Sequence, residues 1–125
     1  MIRWLAVGAG GFVGATFRWL VAGGVQRLFP EAGFPWGTFA VNALGCLALG
    51  FLAELAELRG VLGVEGRLFL LVGVLGGFTT FSTFGWETVS LLRDGSPGLA
   101  AGNAAGQVLV GLAGIWLGMR LAHLA

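Results

Sequence analysis

The chain has 125 residues, 57% hydrophobic and only 10% charged, with a formal net charge of +1 at pH 7. A soluble domain carries roughly 25% charged residues, so this composition points to lipid rather than water as the solvent. Seven arginines stand against five glutamates and one aspartate, with no lysine and no basic run, which excludes a nucleic-acid footprint and a polybasic membrane tag.

A membrane-crossing helix uses about 20 residues. Four spans with short connections therefore fill residues 1–125 as a single transmembrane domain and leave no room for a soluble one. The first span is expected over residues 3–27. A basic start at Arg3 followed by apolar residues imitates a signal peptide, but Arg18 interrupts the run and no small-x-small cleavage site ends it, so the segment is read as retained. Gly8-Ala9-Gly10-Gly11-Phe12-Val13-Gly14 imitates a dinucleotide fingerprint. Its third glycine is one place late, no strand precedes it and no acidic residue follows at the right distance, so that reading is discarded. Gly10 and Gly14 share a helix face, with Arg18 one turn further along, and small residues at this spacing let membrane helices approach closely. An ionisable group in a span costs at least about 2.5–3.5 kcal/mol at the helix centre. Arg18 either snorkels to the interface or packs inward, bonding helix-end carbonyls or lending positive potential to a pathway.

Pro30, Glu31, Gly33 and Pro35 mark the turn to the second span, residues 36–58. Asn42 lies within it, following Gly37-Thr38 and preceding Gly45. Its amide offers two hydrogens and an acceptor oxygen, for an interhelical bond or for a ligand. The single cysteine, Cys46, sits among apolar residues and reads as a small packing residue.

The third span, residues 67–92, contains the most unusual stretch of the chain, Gly-Gly-Phe-Thr-Thr-Phe-Ser-Thr-Phe at 76–84. Paired glycines loosen the backbone, and the hydroxyls of Thr79, Thr80, Ser82 and Thr83 can bond either that backbone or a passing ligand. Irregular backbone at membrane depth is tolerated only where protein or a water-filled cavity covers it. On a regular helix Thr80, Thr83 and Glu87 share a face, with Phe81 and Phe84 in a neighbouring stripe. Ring edges are positive and favour an anion, whereas Glu87 argues for a cation. These residues specify a membrane channel or transporter for a small ion and leave the sign of the ion open.

Arg93-Asp94-Gly95-Ser96-Pro97-Gly98 is the strongest turn signal. The fourth span, residues 98–122, carries glycines at four-residue spacing (Gly98, Gly102, Gly106, then Gly114 and Gly118), a pattern for close packing within or between subunits. Trp4, Trp36 and Trp116 fall near span ends, where indole rings favour the interface. Four spans place Arg3, Arg59, Arg67 and Arg120 on one side and Arg27 and Arg93 on the other, with Arg18 inside. The basic excess that sets orientation is therefore weak. Insertion in both orientations and a single, modestly biased orientation are both compatible with it.

Three segments, Gly10-Gly11-x-x-Gly14-Ala15-x-x-Arg18, Gly-Thr-Phe-Ala-Val-Asn-Ala-Leu-Gly at 37–45 and the motif at 76–84, resemble the signature of the Fluc (CrcB) fluoride channels in order and spacing. The resemblance covers essentially the whole chain. It implies an all-α membrane protein of four transmembrane helices, the third broken at its centre, assembled as an antiparallel, dual-topology homodimer in the cell (inner) membrane. It implies passive, selective export of toxic cytoplasmic fluoride through two pores per dimer. It also implies a structural sodium ion (Na+) on the dimer axis, held by the backbone carbonyls of Gly76 and Thr79 from each subunit. Carried over by position, Phe81 and Phe84 line the pores, Asn42 gives an amide donor, and Ser82 and Thr83 supply hydroxyls. Glu87 orients hydroxyl hydrogens toward the ion, and Arg18 matches the family's span-one arginine. Asn103 and Gln107 are polar candidates in span four without an assigned role. Proton-coupled exporters of similar size depend on a buried acid in span one, where this chain has Arg18 and none. A non-conducting assembly subunit has no need of the hydroxyl-rich stretch. One histidine, His123, and one cysteine supply no nucleophile–base set for an enzyme.

Overall fold

The computed structural model describes residues 2–30 and 33–125. Glu31 of the expected turn cluster lies outside the described residues. Helix α1 spans Ile2–Leu28 and α2 spans Trp36–Arg59. The third crossing is a composite. Helix α3 (Val64–Arg67) runs into a π-helical stretch (Leu68–Leu75) and a last short turn, α4 (Gly76–Phe78); after two extended residues, α5 (Phe81–Arg93) resumes. Helix α6 spans Pro97–Ala122. Among the described residues, four helical runs are thus long and apolar enough to cross a membrane, and the third is broken at its centre.

Local chemistry sets the ends. Gly60 takes φ +60° after α2, a left-handed conformation that glycine adopts without steric cost. The free N-terminus of α2 is covered from α1, where Gln26 Oε1 accepts from the Gly37 N–H at 3.1 Å while Gln26 Nε2 donates to the Phe34 carbonyl at 3.2 Å. The rings of Phe29, Phe34, Trp36 and Phe39 meet tilted or edge-on, with centroids 4.7–5.9 Å apart, and close the same turn. At the other end Arg67 donates to the Ala56 carbonyl at 3.0 Å and to the Leu62 carbonyl at 3.3 Å. It thereby satisfies a carbonyl that the last turn of α2 leaves open. Pro97 opens α6 at a position where no N–H is needed.

Glycines decide the packing. A Cβ on Gly10 or Gly14 of α1 would collide with the backbone carbonyls of Phe69 and Val74 respectively. One on Gly77 would lie 2.8 Å from the Gly11 carbonyl. Helix α1 therefore rests directly on the backbone of the third crossing, as the Gly10–Gly14 face predicts. Helices α2 and α6 meet in the same way through Gly50 against the Ile115 carbonyl and Gly118 against the Leu47 carbonyl. A Cβ on Gly98 or Gly102 would meet nothing within 4 Å among the described residues. The core is correspondingly thin, with Val41, Ala56 and Ala100 almost wholly buried while Phe12, Trp19 and Phe81 stand out. Outward rings and aliphatics are what a lipid-facing bundle presents, because lipid imposes no penalty on them.

Candidate functional site: the broken third crossing

The π-helical stretch and α4 end where Thr79 turns extended (φ −87°, ψ 160°). Thr80 follows at φ −151°, ψ 118° and caps α5, its hydroxyl oxygen accepting from the Thr83 N–H at 3.2 Å. Threonine is a favoured N-cap because its side-chain oxygen satisfies an orphan donor of the first turn. The Thr80 hydroxyl donates to Thr83 Oγ1 at 3.0 Å, and Ser82 Oγ lies 3.4 Å from it. The four hydroxyls of the motif therefore have local work. Thr79 Oγ1 donates back to the Leu75 carbonyl at 3.1 Å, and the other three form a cluster around the cap.

Asn42 holds the break from α2. Its Oδ1 accepts from the Thr80 N–H at 2.8 Å, and its Nδ2 donates to the Thr80 carbonyl at 3.0 Å. The pair copies the two-bond pairing of neighbouring strands, so an extended residue survives between two helices. Nδ2 also donates to Gln107 Oε1 of α6 at 2.6 Å. Both amide hydrogens of Asn42 thus have partners within the subunit. A continuous helix would give the Thr80 N–H to the Gly76 carbonyl; here it goes to Asn42. On the other flank Arg18 packs inward and donates to the Thr79 carbonyl at 3.2 Å, the helix-end role that the sequence leaves open beside snorkelling.

A groove of about 300 Å³ opens beside the break, lined by Asn42, Thr79, Thr80, Phe81, Phe84 and Gln107 among others. The two rings lie 5.4 Å apart at 52°. Phe81 is 83% exposed, an unusual state for a ring beside so many polar groups. Gly76 lines the same groove. Glu87 does not. It lines a second cleft with Gln26, Trp86, Ser90 and Asp94, and its Oε1 accepts from the Thr38 hydroxyl at 2.6 Å. Glu87 Oε2 is buried without a partner among the described residues. The shared face expected for Thr80, Thr83 and Glu87 is split, because Thr80 turns inward as the cap and Glu87 bonds α2. Ser82, Thr83 and Arg18 line neither hollow.

Thr38 escapes the sequence reading as a partner of Glu87, since nothing local ties residues so far apart. Asn103 and Gln107 stand there without a role, although their four-residue spacing places both on one face of α6.

Residues 5–119 match the family model described as CrcB-like protein, Camphor Resistance (CrcB). The chain belongs to the CrcB family. Within it, the chain is 49% identical to a protein of Chlorobaculum tepidum over 120 residues, covering 96% of this chain and 94% of that relative. It is 47% identical to one of Thermus thermophilus over 119 residues, covering 95% and 92%. A third, from Opitutus terrae, is 44% identical over 120 residues, covering 94% and 90%. All three CrcB relatives are named fluoride-specific ion channel FluC.

Proposed function

We propose that this chain is a fluoride-selective channel that lets toxic cytoplasmic fluoride leave the cell passively through the inner or plasma membrane. The relatives' channel names describe transport rather than catalysis. The observation that carries the reading in this chain is the groove at the break, where Phe81, Phe84, Asn42, Thr79 and Thr80 come together in a four-span protein. Fluoride is small and holds water tightly. A path for it must substitute fixed donors and ring edges for that water, and must bind weakly enough to release. Phe81 and Phe84 form the wall in this reading. Asn42 holds the extended Thr80 at the edge of the groove, Ser82 and Thr83 are the hydroxyls of the first turn of α5 next to it, and Glu87 takes the Thr38 hydroxyl hydrogen at the second cleft. Arg18 places positive charge beside the break.

The functional unit is an antiparallel homodimer of oppositely inserted copies, with two pores and a sodium ion on its axis. The donor set at the break suits such an ion. The Gly76 carbonyl has lost its ordinary helical donor, and the Thr79 carbonyl gives Arg18 one of its two lone pairs. Carbonyl oxygens are ligands for hard cations. Gly76 and Thr79 from each copy would hold the ion, which supplies a fixed positive charge at the junction of the two chains.

Purified protein reconstituted into potassium-loaded liposomes, with valinomycin to clamp charge, should release fluoride measurably at an ion-selective electrode and release no chloride. Absence of fluoride release defeats the reading, and release that requires a proton gradient assigns the chain to coupled exporters instead.

A further inference from the structure

The geometry points to Asn103 and Gln107 as positioning residues for the ion path, forming with Thr88 a side-chain chain that braces Asn42 in the direction its two bonds to Thr80 set. This deepens the channel reading and rests on it. The Thr88 hydroxyl donates to the Phe84 carbonyl at 2.8 Å, which turns its lone pairs toward Asn103, and Asn103 Nδ2 donates to it at 2.9 Å. Asn103 Oδ1 accepts from Gln107 Nε2 at 3.0 Å. Gln107 Oε1 accepts from Asn42 Nδ2 at 2.6 Å, and Asn42 Oδ1 accepts from the Thr80 N–H at 2.8 Å.

Every link runs the same way. Reversing any single amide sets oxygen against oxygen or hydrogen against hydrogen. The two ends are backbone groups, the Thr80 N–H and the Phe84 carbonyl, and neither can exchange donor for acceptor. Asn103 is 0% exposed, so water cannot repair a broken link, and an unmet buried polar group is costly. The chain joins both sides of the groove, since it starts on the carbonyl of one lining ring residue and ends on the extended residue before the other. Asn103 itself is absent from the groove lining and acts only through Gln107.

The test is a double-mutant cycle in the reconstituted channel, scored as fluoride rate per folded protein with melting temperature measured in parallel. Gln107→Met keeps length and removes the polar groups; Asn103→Leu breaks the chain one link earlier. Each should lower the rate about tenfold, the equivalent of one lost hydrogen bond. The double variant should be no slower than the slower single one, because both break one chain. Wild-type rates in the single variants overturn the inference, as does a double variant whose losses multiply. So does failure of both single variants to fold, which assigns the chain to stability alone. Wild-type protein that passes no fluoride fails the channel reading first, before any variant is compared.

Discussion

At the scale of residues, the groove sets a solvent-like ring against polar backbone. Phe81 is mostly exposed and tilted against Phe84, so much of the ring is available to the groove. Edge hydrogens carry the positive part of the ring quadrupole, a weak and evenly spread attraction suited to a passing anion. Phe81→Ile retains an apolar side chain and removes that edge. Fluoride flux should fall by about tenfold or more, a barrier change of ~1.4 kcal/mol, while the protein keeps its melting temperature. Unchanged flux in the liposome assay would show that the ring is not part of the wall. Thr38 and Glu87 make the complementary point about legibility. Their residue types are plain in the sequence, but their 2.6 Å bond depends on how α2 and α5 cross, which no local pattern encodes.

At the scale of elements, the third crossing shows what sequence can and cannot carry. Gly76-Gly77 and the following hydroxyls signal an interruption, and the chain breaks at Thr79–Thr80. The π-helical winding of Leu68–Leu75 has no such signal, because an apolar run reads alike in either winding; one wider turn leaves the Gly76 N–H on the Leu71 carbonyl. π-helical turns are rare and gather at functional sites. Here the wider turn lies directly under Gly10 and Gly14 of α1, whose backbones touch it. The glycine faces are therefore legible as packing faces, but which glycines meet a partner is not, since Gly98 and Gly102 share the spacing and meet nothing among the described residues. The distinction is measurable. Gly14→Val pushes a branched side chain into the Val74 carbonyl and toward the Phe78 N–H, an overpacking that costs about 1–3 kcal/mol or more. Gly8→Ala, with nothing within 4 Å, should be neutral or slightly stabilising through helix propensity. Thermal melting in detergent should show a large drop for the first and none for the second; equal melting temperatures would mean that α1 does not rest on the third crossing.

At the scale of the whole molecule, the groove and the arginines are compatible with the proposed antiparallel dimer. Extended backbone, an arginine and several hydroxyls sit at the middle of a membrane span, and lipid cannot cover them. Most of their polar atoms are met within the subunit, yet the groove stays open along Phe81 and Gly76. A second copy related by a two-fold axis in the membrane plane would close it with the same surface, because a two-fold interface uses one patch twice. That axis requires each copy to insert opposite to its partner. The basic residues permit this, with Arg3, Arg59, Arg67 and Arg120 at one face and Arg27 and Arg93 at the other, a weak excess compatible with insertion in both orientations as well as with a single biased one. The arrangement can be read directly by labelling. In a Cys46→Ala background, Asp94→Cys places one thiol in the exposed turn between α5 and α6. A membrane-impermeant maleimide applied to intact spheroplasts should label one population, and a second, permeant maleimide should then label a comparable remainder. Labelling of all molecules, or of none, in the first step would establish a single orientation and exclude the antiparallel dimer.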